Sequence, residues 1–423
     1  MSKPLLKKLL LSMMCLPLLA QAQNLAETVK LALAYHPQIQ AAEQNIAAKQ
    51  ASVSVSESAM KPQLLLSGEI GRSSLETTAP FPESGGRWPN TVNLVLSQPL
   101  YTSGALNTAV DIAKLNVSVS EQHREELRVN IAIQAIAAYA AIVRDQSLLA
   151  LYQQSLKTLQ QAKSDADKRF KAGEVTKTDT AQASARLAEG DAQIAQAQAN
   201  IAISEAQFFR VTGARPENIS SHLPLLAIPA DLNTALEKSL QSPAIKAAQE
   251  ETLSAQKTIH LAEAENKVRV TAEARATTQD NTDFGYDRMN GWGVYIKAQV
   301  PLYEGGRSIA KVSEASAYTS AAQRNTDNIT ADVKQQMTTA WQHWQAASAR
   351  VPAYQAQVDA AELALDSTRK ELNVGTRTTL DLLNAERELL SAKINLLFSE
   401  QDKSLASYQI LAVIGDLSVL THE

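Results

Sequence analysis

Cysteine is almost absent from this chain of 423 residues: one residue, Cys15, lies within the first 22. Glycine and proline are scarce, at 15 and 14, and aromatic residues make up only 5%. So few turn formers and rings disfavour a mainly β protein, and a single thiol excludes a disulfide framework. Charged residues are 20% and hydrophobic ones 45%, with a mean hydropathy of −0.19. That balance excludes a disordered chain and a polytopic helical membrane protein. Alanine and glutamine fill much of the remainder, which predicts long helices.

Residues 1–22 read as a secretory signal. Lys3, Lys7 and Lys8 precede an apolar run from Leu9 to Leu19, and Ala20-Gln21-Ala22 has the small-x-small cleavage pattern. The run is short for a membrane span of about 20 residues. Met13-Met14 before Cys15 does not fit a lipidation site. The chain from Gln23 onward holds no cysteine. Without the three lysines it carries 37 basic and 44 acidic residues, a formal charge of −7. It offers no basic surface for nucleic acid.

The sequence is written twice. His36-Pro37-Gln38-Ile39-Gln40-Ala41-Ala42 returns as Ser242-Pro243-Ala244-Ile245-Lys246-Ala247-Ala248. Pro99-Leu100-Tyr101 with Gly104 returns as Pro301-Leu302-Tyr303 with Gly306. Gly173, Thr176 and Asp179 return as Gly375, Thr378 and Asp381, and Val211-Thr212-Gly213 as Val413-Ile414-Gly415. The last three share an offset of 202 residues, and the first is shifted by four more. Two structural repeats are expected, 23–213 and 232–415, joined by a linker over 214–231 and followed by a tail over 416–423.

Each repeat has one internal order. A first helix is expected from Leu25 to Ala59, and its counterpart from Leu232 to Glu265. Strands are expected over about 62–72 and 90–101, then over 266–280 and 291–303, with polar loops at Ser73–Asn90 and Asp280–Asn290. Long helices follow over about 105–172 and 307–374. The only glycine or proline in those two intervals of 68 residues is Pro352. At about 1.5 Å per residue each makes a rod near 100 Å, a length that points to a coiled coil or helical bundle. Leu148, Tyr152, Leu156 and Leu159 form one apolar stripe with an 11-residue period, which favours straight or slightly right-handed winding. Shorter helices return over Thr178–Arg210 and Thr378–Val413. The run Ile131–Val143 is too short to span a membrane and reads as a buried stretch of the long helix.

The strand segments alternate. Val92, Leu94 and Leu96 face one way, and Asn93, Val95 and Ser97 the other; Val294, Ile296 and Ala298 alternate with Tyr295, Lys297 and Gln299. Trp88, Tyr101, Trp292, Tyr295 and Tyr303 are placed towards strand ends, where a membrane aromatic girdle would sit. Two readings stand: a soluble sheet packed on a helix, or strands of an outer-membrane barrel. Four strands cannot close a barrel, so the second reading requires several chains.

The segments Ser97-Gln98-Pro99-Leu100-Tyr101 with Gly104, Val300-Pro301-Leu302-Tyr303-Glu304-Gly305-Gly306, and Val374-Gly375-Thr376-Arg377-Thr378-Thr379-Leu380-Asp381-Leu382-Leu383-Asn384-Ala385 resemble the TolC family of outer-membrane efflux and secretion channels. The resemblance covers essentially the whole chain after the signal, on the unlipidated type I secretion and multidrug branch. It implies a mainly α protein with a membrane β part. Three chains would share a 12-stranded barrel in the outer-membrane lipid, and their helices would form a periplasmic tunnel. The implied partners are a periplasmic adaptor and an inner-membrane transporter of ABC or RND type. The implied role is an exit duct for proteins or small toxic compounds, not an enzyme. The rival reading is a periplasmic coiled-coil adaptor or scaffold.

The resemblance also implies that the tunnel narrows at the turns after Gly173 and Gly375, near the adaptor contact. By position the gate residues would be Thr178, Asp179, Arg377, Asp381 and Asn384. Asn384 stands where a second aspartate is often found, and Leu372 where a tyrosine often locks the closed state. Spacing alone gives another reading of the two aspartates. Thr176-x-x-Asp179 and Thr378-x-x-Asp381 match the pattern that caps a helix. His36, His123, His222, His260, His343 and His422 show no metal-ligand spacing, and no cofactor or metal is expected. Trp341 and Trp344 share a helix face and read as a helix–helix contact. No nucleophile–base cluster stands out.

Overall fold

The computed structural model describes residues 24–76, 84–220, 223–283 and 286–416. The expected signal over 1–22, most of the tail, His222 and His422 lie outside the described residues. The first repeat runs α1 (Leu25–Tyr35), α2 (Pro37–Ser58), β1 (Gln63–Ile70), β2 (Ser73–Glu76), β3 (Ser84–Arg87), β4 (Asn90–Tyr101), α3 (Ala105–Lys171) and α4 (Lys177–Thr212). The second runs α5 (Leu232–Ser239), α6 (Pro243–Glu265), β5 (Arg269–Asp283), β6 (Tyr286–Gln299), α7 (Arg307–Asn373) and α8 (Thr379–Ile414).

The expected first helix of each repeat is in fact two. His36 and Ser242 are extended, with ψ of 123° and 150°. Each precedes a proline, whose ring crowds the preceding residue out of the helical region. The proline then starts the next helix, where its missing N–H costs nothing. Pro352 does not interrupt α7, which runs 67 residues through it, as long as α3. Both long helices begin after a left-handed glycine, Gly104 at φ 88° and Gly306 at φ 84°.

Two expected loops are partly strand. β2 and β3 pair inside 73–90, and within 280–290 β5 runs on to Asp283 and β6 begins at Tyr286. A hairpin ladder continues wherever both strands stay extended, and the polar run Thr277-Thr278-Gln279-Asp280 does not break it. Trp292 and Tyr295 therefore lie within β6, not near its start. β6 ends at Gln299, before Pro301 and Tyr303.

The main sheet is antiparallel in the order β1-β4-β5-β6, with β1 and β6 at its edges. Its register brings Leu66, Leu94, Ala276 and Trp292 into one row, and Leu64, Leu96, Ala274 and Val294 into another. One face is thus apolar across all four strands. The opposite face carries Glu69, Asn93, Glu273, Arg275 and Lys297. On that face Glu273 lies 3.4 Å from Arg275 and 3.9 Å from Lys297, and Thr277 donates to Asn93. Among the described residues no helix covers the apolar face: Leu64, Leu66, Trp292, Val294 and Ile296 are all exposed.

The core lies instead among the helices. α2 packs on α3, α3 on α6 and α6 on α7, while further from the sheet α4 packs on α3, α3 on α8 and α8 on α7. Ile131, Ala135, Ile136, Tyr139 and Ile142 of α3 are fully buried against α1 and the ends of α4 and α8. The apolar run Ile131–Val143 is therefore core. Ile219, Leu223 and Leu226 of the linker close over it. The rings of Trp341 and Trp344 meet tilted at 46°, with centroids 5.5 Å apart, beside Met337 and Ile410. On the stripe of α3, Leu156 and Leu159 press against Gly190 of α4, where an added Cβ would lie 3.0 Å from Leu156 Cδ1.

Candidate functional site

The two helical hairpins end in turns of the same construction. α3 stops at Gly173 and α7 at Gly375, with φ of 79° and 81°. A side chain is disfavoured there by the backbone alone, since an added Cβ would meet nothing within 4 Å. The amide of Gly173 donates to Phe170 O and that of Glu174 to Arg169 O; Gly375 and Thr376 repeat this to Leu372 O and Glu371 O. These paired bonds satisfy the last carbonyls of each long helix.

Three residues later the return helices start with a reciprocal cap. Thr378 N–H donates to Asp381 Oδ2 at 2.9 Å, the Thr378 hydroxyl to the same oxygen at 2.8 Å, and Asp381 N–H to Thr378 Oγ1 at 3.2 Å. Thr176 and Asp179 repeat all three at 2.8, 2.7 and 3.3 Å. The cap of the first hairpin is thus Thr176, and Thr178 sits exposed inside the first turn of α4. The backbone N–H and hydroxyl of Thr378, then the charge of Arg377, hold the Asp381 carboxyl below its ordinary value. The Thr176 hydroxyl, then its N–H, and beyond them Arg169, do the same for Asp179.

Arg377 turns back to its own long helix and meets Glu371 at 2.8 Å, which raises its pKa further. The first hairpin inverts this pair: Arg169, at the position matching Glu371, meets Glu174 at 3.2 Å. Asn384 is exposed one turn beyond Asp381, on the side of α8 opposite the buried Leu382 and Leu383. Among the described residues, none of Thr178, Asp179, Arg377, Asp381 and Asn384 bonds across to the other hairpin. Leu372 is half-buried and packs on the cluster around Ala162, Ala166 and Leu382.

Sequence reasoning missed Glu371, Arg169 and Glu174, whose charges anchor the tips, and Glu386. Glu386 is 7% exposed on α8 and borders a cavity of about 290 Å³ with Ser155, Thr158, Arg369 and Lys393. Burial raises its pKa, against the opposing effects of the Ser155 hydrogen bond and the Arg369 and Lys393 charges. Its spacing from Leu383 and Leu389, on the buried stripe of α8, was the available signal.

The model of the outer membrane efflux proteins matches residues 28–214 and again 235–416. The chain belongs to that family. The match falls once on each repeat, and it places the protein in the outer membrane as a TolC-like chain. Outer membrane efflux protein BepC of Brucella suis is 28% identical over 87% of this chain and 80% of its own length. Alkaline protease secretion protein AprF of Pseudomonas aeruginosa is 24% identical over 90% and 82%. In fold, the chain is similar to the Campylobacter jejuni CmeC outer membrane channel, with a TM-score of 0.80 over 93% of this chain and 86% of that one, at 16% identity. Membership sets aside the adaptor or scaffold reading, and the family's relatives are channel proteins, not enzymes.

Proposed function

We propose that three copies of this chain form an outer-membrane duct. Each contributes β1, β4, β5 and β6 to one 12-stranded barrel, and the helices continue it as a periplasmic tunnel. The observation that carries this reading is the sheet: one face is apolar and uncovered, and both edges are open. In lipid an open edge leaves backbone groups unsatisfied at several kcal/mol each, so only a closed barrel serves. β4, β5 and β6, of 12, 15 and 14 residues, are each long enough to cross at a tilt.

The duct is passive. An inner-membrane transporter of ABC or RND type supplies the energy, and a periplasmic adaptor joins it near the tips at Gly173 and Gly375. BepC is named for efflux and AprF for protease secretion, which supports small toxic compounds and proteins as the two cargo classes. Thr178, Asp179, Arg377, Asp381 and Asn384 form the constriction. Asp381 does two tasks there: it caps α8 through Oδ2 and adds charge to the pore. Three such carboxylates on one axis concentrate negative potential.

Light scattering of the detergent-solubilised protein, corrected for bound detergent, tests the assembly; a trimer is expected, and a monomer stable without detergent sinks the duct. Single-channel recording then tests the constriction. Asp381→Ala is expected to weaken block by divalent cations. Unchanged block in an assembled trimer removes Asp381 from the pore.

A further inference from the structure

The two hairpins of the chain meet where α8 lies on α3 and α4. On α8 the buried stripe runs through Leu382, Leu383, Glu386, Leu389 and Ala392, and Glu386 is its charged member. The repeat does not call for a carboxyl here: the matching residue of α4, 202 positions earlier, is Ser184.

Three helices pack around Glu386. α3 presents the hydroxyls of Ser155 and Thr158, both hydrogen-bonded to it. α7 presents Glu362, Asp366 and Arg369 across the cavity of about 290 Å³. α4 presents Arg186 and Glu189, beside a void of about 30 Å³. Its own helix adds Lys393 and the exposed Arg387. Most of these charges already have partners. Lys393 meets Glu362 at 2.8 Å, Arg186 meets Glu189 at 2.7 Å and Asp366 meets Lys370 at 2.6 Å. Among the described residues no ion pair reaches Glu386, and Arg369 and Lys393 act on it only through their field. A carboxylate buried without an ion pair is costly, so the neutral acid is the form that suits this site.

We infer that Glu386 is a pH-sensitive latch between the two hairpins. Protonated, it packs against Ser155 and Thr158 and leaves α3 and α8 closed on each other. Ionised, it needs water, and the seam loosens to admit it. The cavity of about 290 Å³ has room for several waters at roughly 30 Å³ each. Burial has the largest effect on this carboxyl, and it raises the pKa. The latch is therefore tight below the ordinary value of 4.5 and weakens as pH rises through the folded value. The capped tips behave in the opposite sense, since Asp179 and Asp381 hold best when ionised. Glu386 lies five residues beyond Asp381, or about 7.5 Å along the helix. In the duct reading, on which this last step rests, a loosened seam lets the constriction widen.

Amide exchange of the full-length protein in detergent, corrected for the intrinsic effect of pH, tests the latch. Around Ser155 and around Glu386, exchange is expected to be roughly threefold or more slower at pH 5 than at pH 8. Glu386→Gln keeps the neutral shape at any pH and is expected to exchange slowly at both. Ser155→Ala removes a hydrogen bond that favours the ionised form, so the transition should move to higher pH. A merely structural role would leave that midpoint in place, and this variant also covers a failure of the first to fold. Exchange that ignores pH in the parent, or a pH dependence that survives in Glu386→Gln, overturns the latch and leaves the duct standing. Single-channel conductance of the parent is expected to rise over the same pH range, and that of Glu386→Gln to stay flat. Flat conductance in a parent trimer whose exchange does respond overturns the link to the constriction. A monomeric mass overturns the duct alone.

Discussion

The Tyr408 hydroxyl of α8 donates to the carbonyl of Pro224 at 2.7 Å, so the second repeat grips the linker that leads into it. Tyr139 of the first repeat holds the same linker from the other side, accepting the Ser220 N–H at 3.1 Å. Burial raises both phenol pKa values, and Tyr139 adds to the rise at Tyr408. Tyr408→Phe should cost about 1 kcal/mol, the net worth of one part-buried hydrogen bond whose acceptor belongs to an exposed residue that water can reach. Thermal unfolding followed by helical circular dichroism reads this, and limited proteolysis should cut the linker sooner.

The same group sets an alkaline limit. A phenol whose folded pKa is raised contributes stability that is complete below its unfolded value of about 10 and is lost as pH rises towards the folded value. The Tm of the parent should therefore fall more steeply above pH 10 than that of Tyr408→Phe. Parallel slopes would mean that ionisation of Tyr408 does not limit the fold.

In the fold the ionised form of Glu386 is less favoured than the protonated one. Its raised folded pKa means a contribution present below the ordinary carboxylate value and lost as pH rises through the folded one. Glu386→Gln should raise the Tm at pH 7, with the gain vanishing near pH 4. A lower Tm at pH 7 would show that the carboxylate's contacts with Ser155, Arg369 and Lys393 outweigh its burial.

The capped tips should loosen in acid. Asp179 and Asp381 have lowered folded pKa values, so their contribution is present above about 3.8 and lost as pH falls through the folded value. Thr176→Ala removes one cap at any pH. The usual cost of about 1 kcal/mol corresponds to roughly fivefold faster amide exchange over the first turn of α4, with α8 unchanged. Equal exchange in both helices would show that the cap does not hold the tip.

Gly213 ends α4 at φ 70°, and an added Cβ would lie 2.5 Å from the Tyr35 ring. Gly213→Ala combines a left-handed backbone, costing about 1–2 kcal/mol, with displacement of that ring from α1. A Tm lower by several degrees is expected, and an unchanged Tm would show that α1 can move aside freely.

Repetition made much of this legible in the sequence. The offset fixed by Gly173/Gly375 and Val211/Val413 set the hairpins, and the unbroken stretches after Gly104 and Gly306 gave both long helices to within a residue. The kinks at His36 and Ser242 follow from the prolines beside them, but helical periodicity continues across each and masked them. The ends of β5 and β6 were misplaced because polarity was taken as the end of pairing, whereas the ladder depends on the backbone. At the tips, the Thr–Asp spacing gave the caps, and Arg377 and Asp381 lie close enough to affect each other's charge. The Glu371 contact was not legible, because it joins a helix end to a turn six residues on and obeys no helical period.

The seam between β4 and β5 also governs the order of events in folding. Its partners, such as Leu94 and Ala276, stand some 180 residues apart, so the pair cannot form until most of the second repeat exists. Until then the β1–β4 ladder is a two-stranded ribbon, a form that is marginal in water by itself. Bringing such distant strands together carries a large entropic cost of closure before any contact offsets it. The helical hairpins, whose partners are near in sequence, should form first and the sheet last. The zipping of this one ladder is then expected to be the slowest step within a single chain.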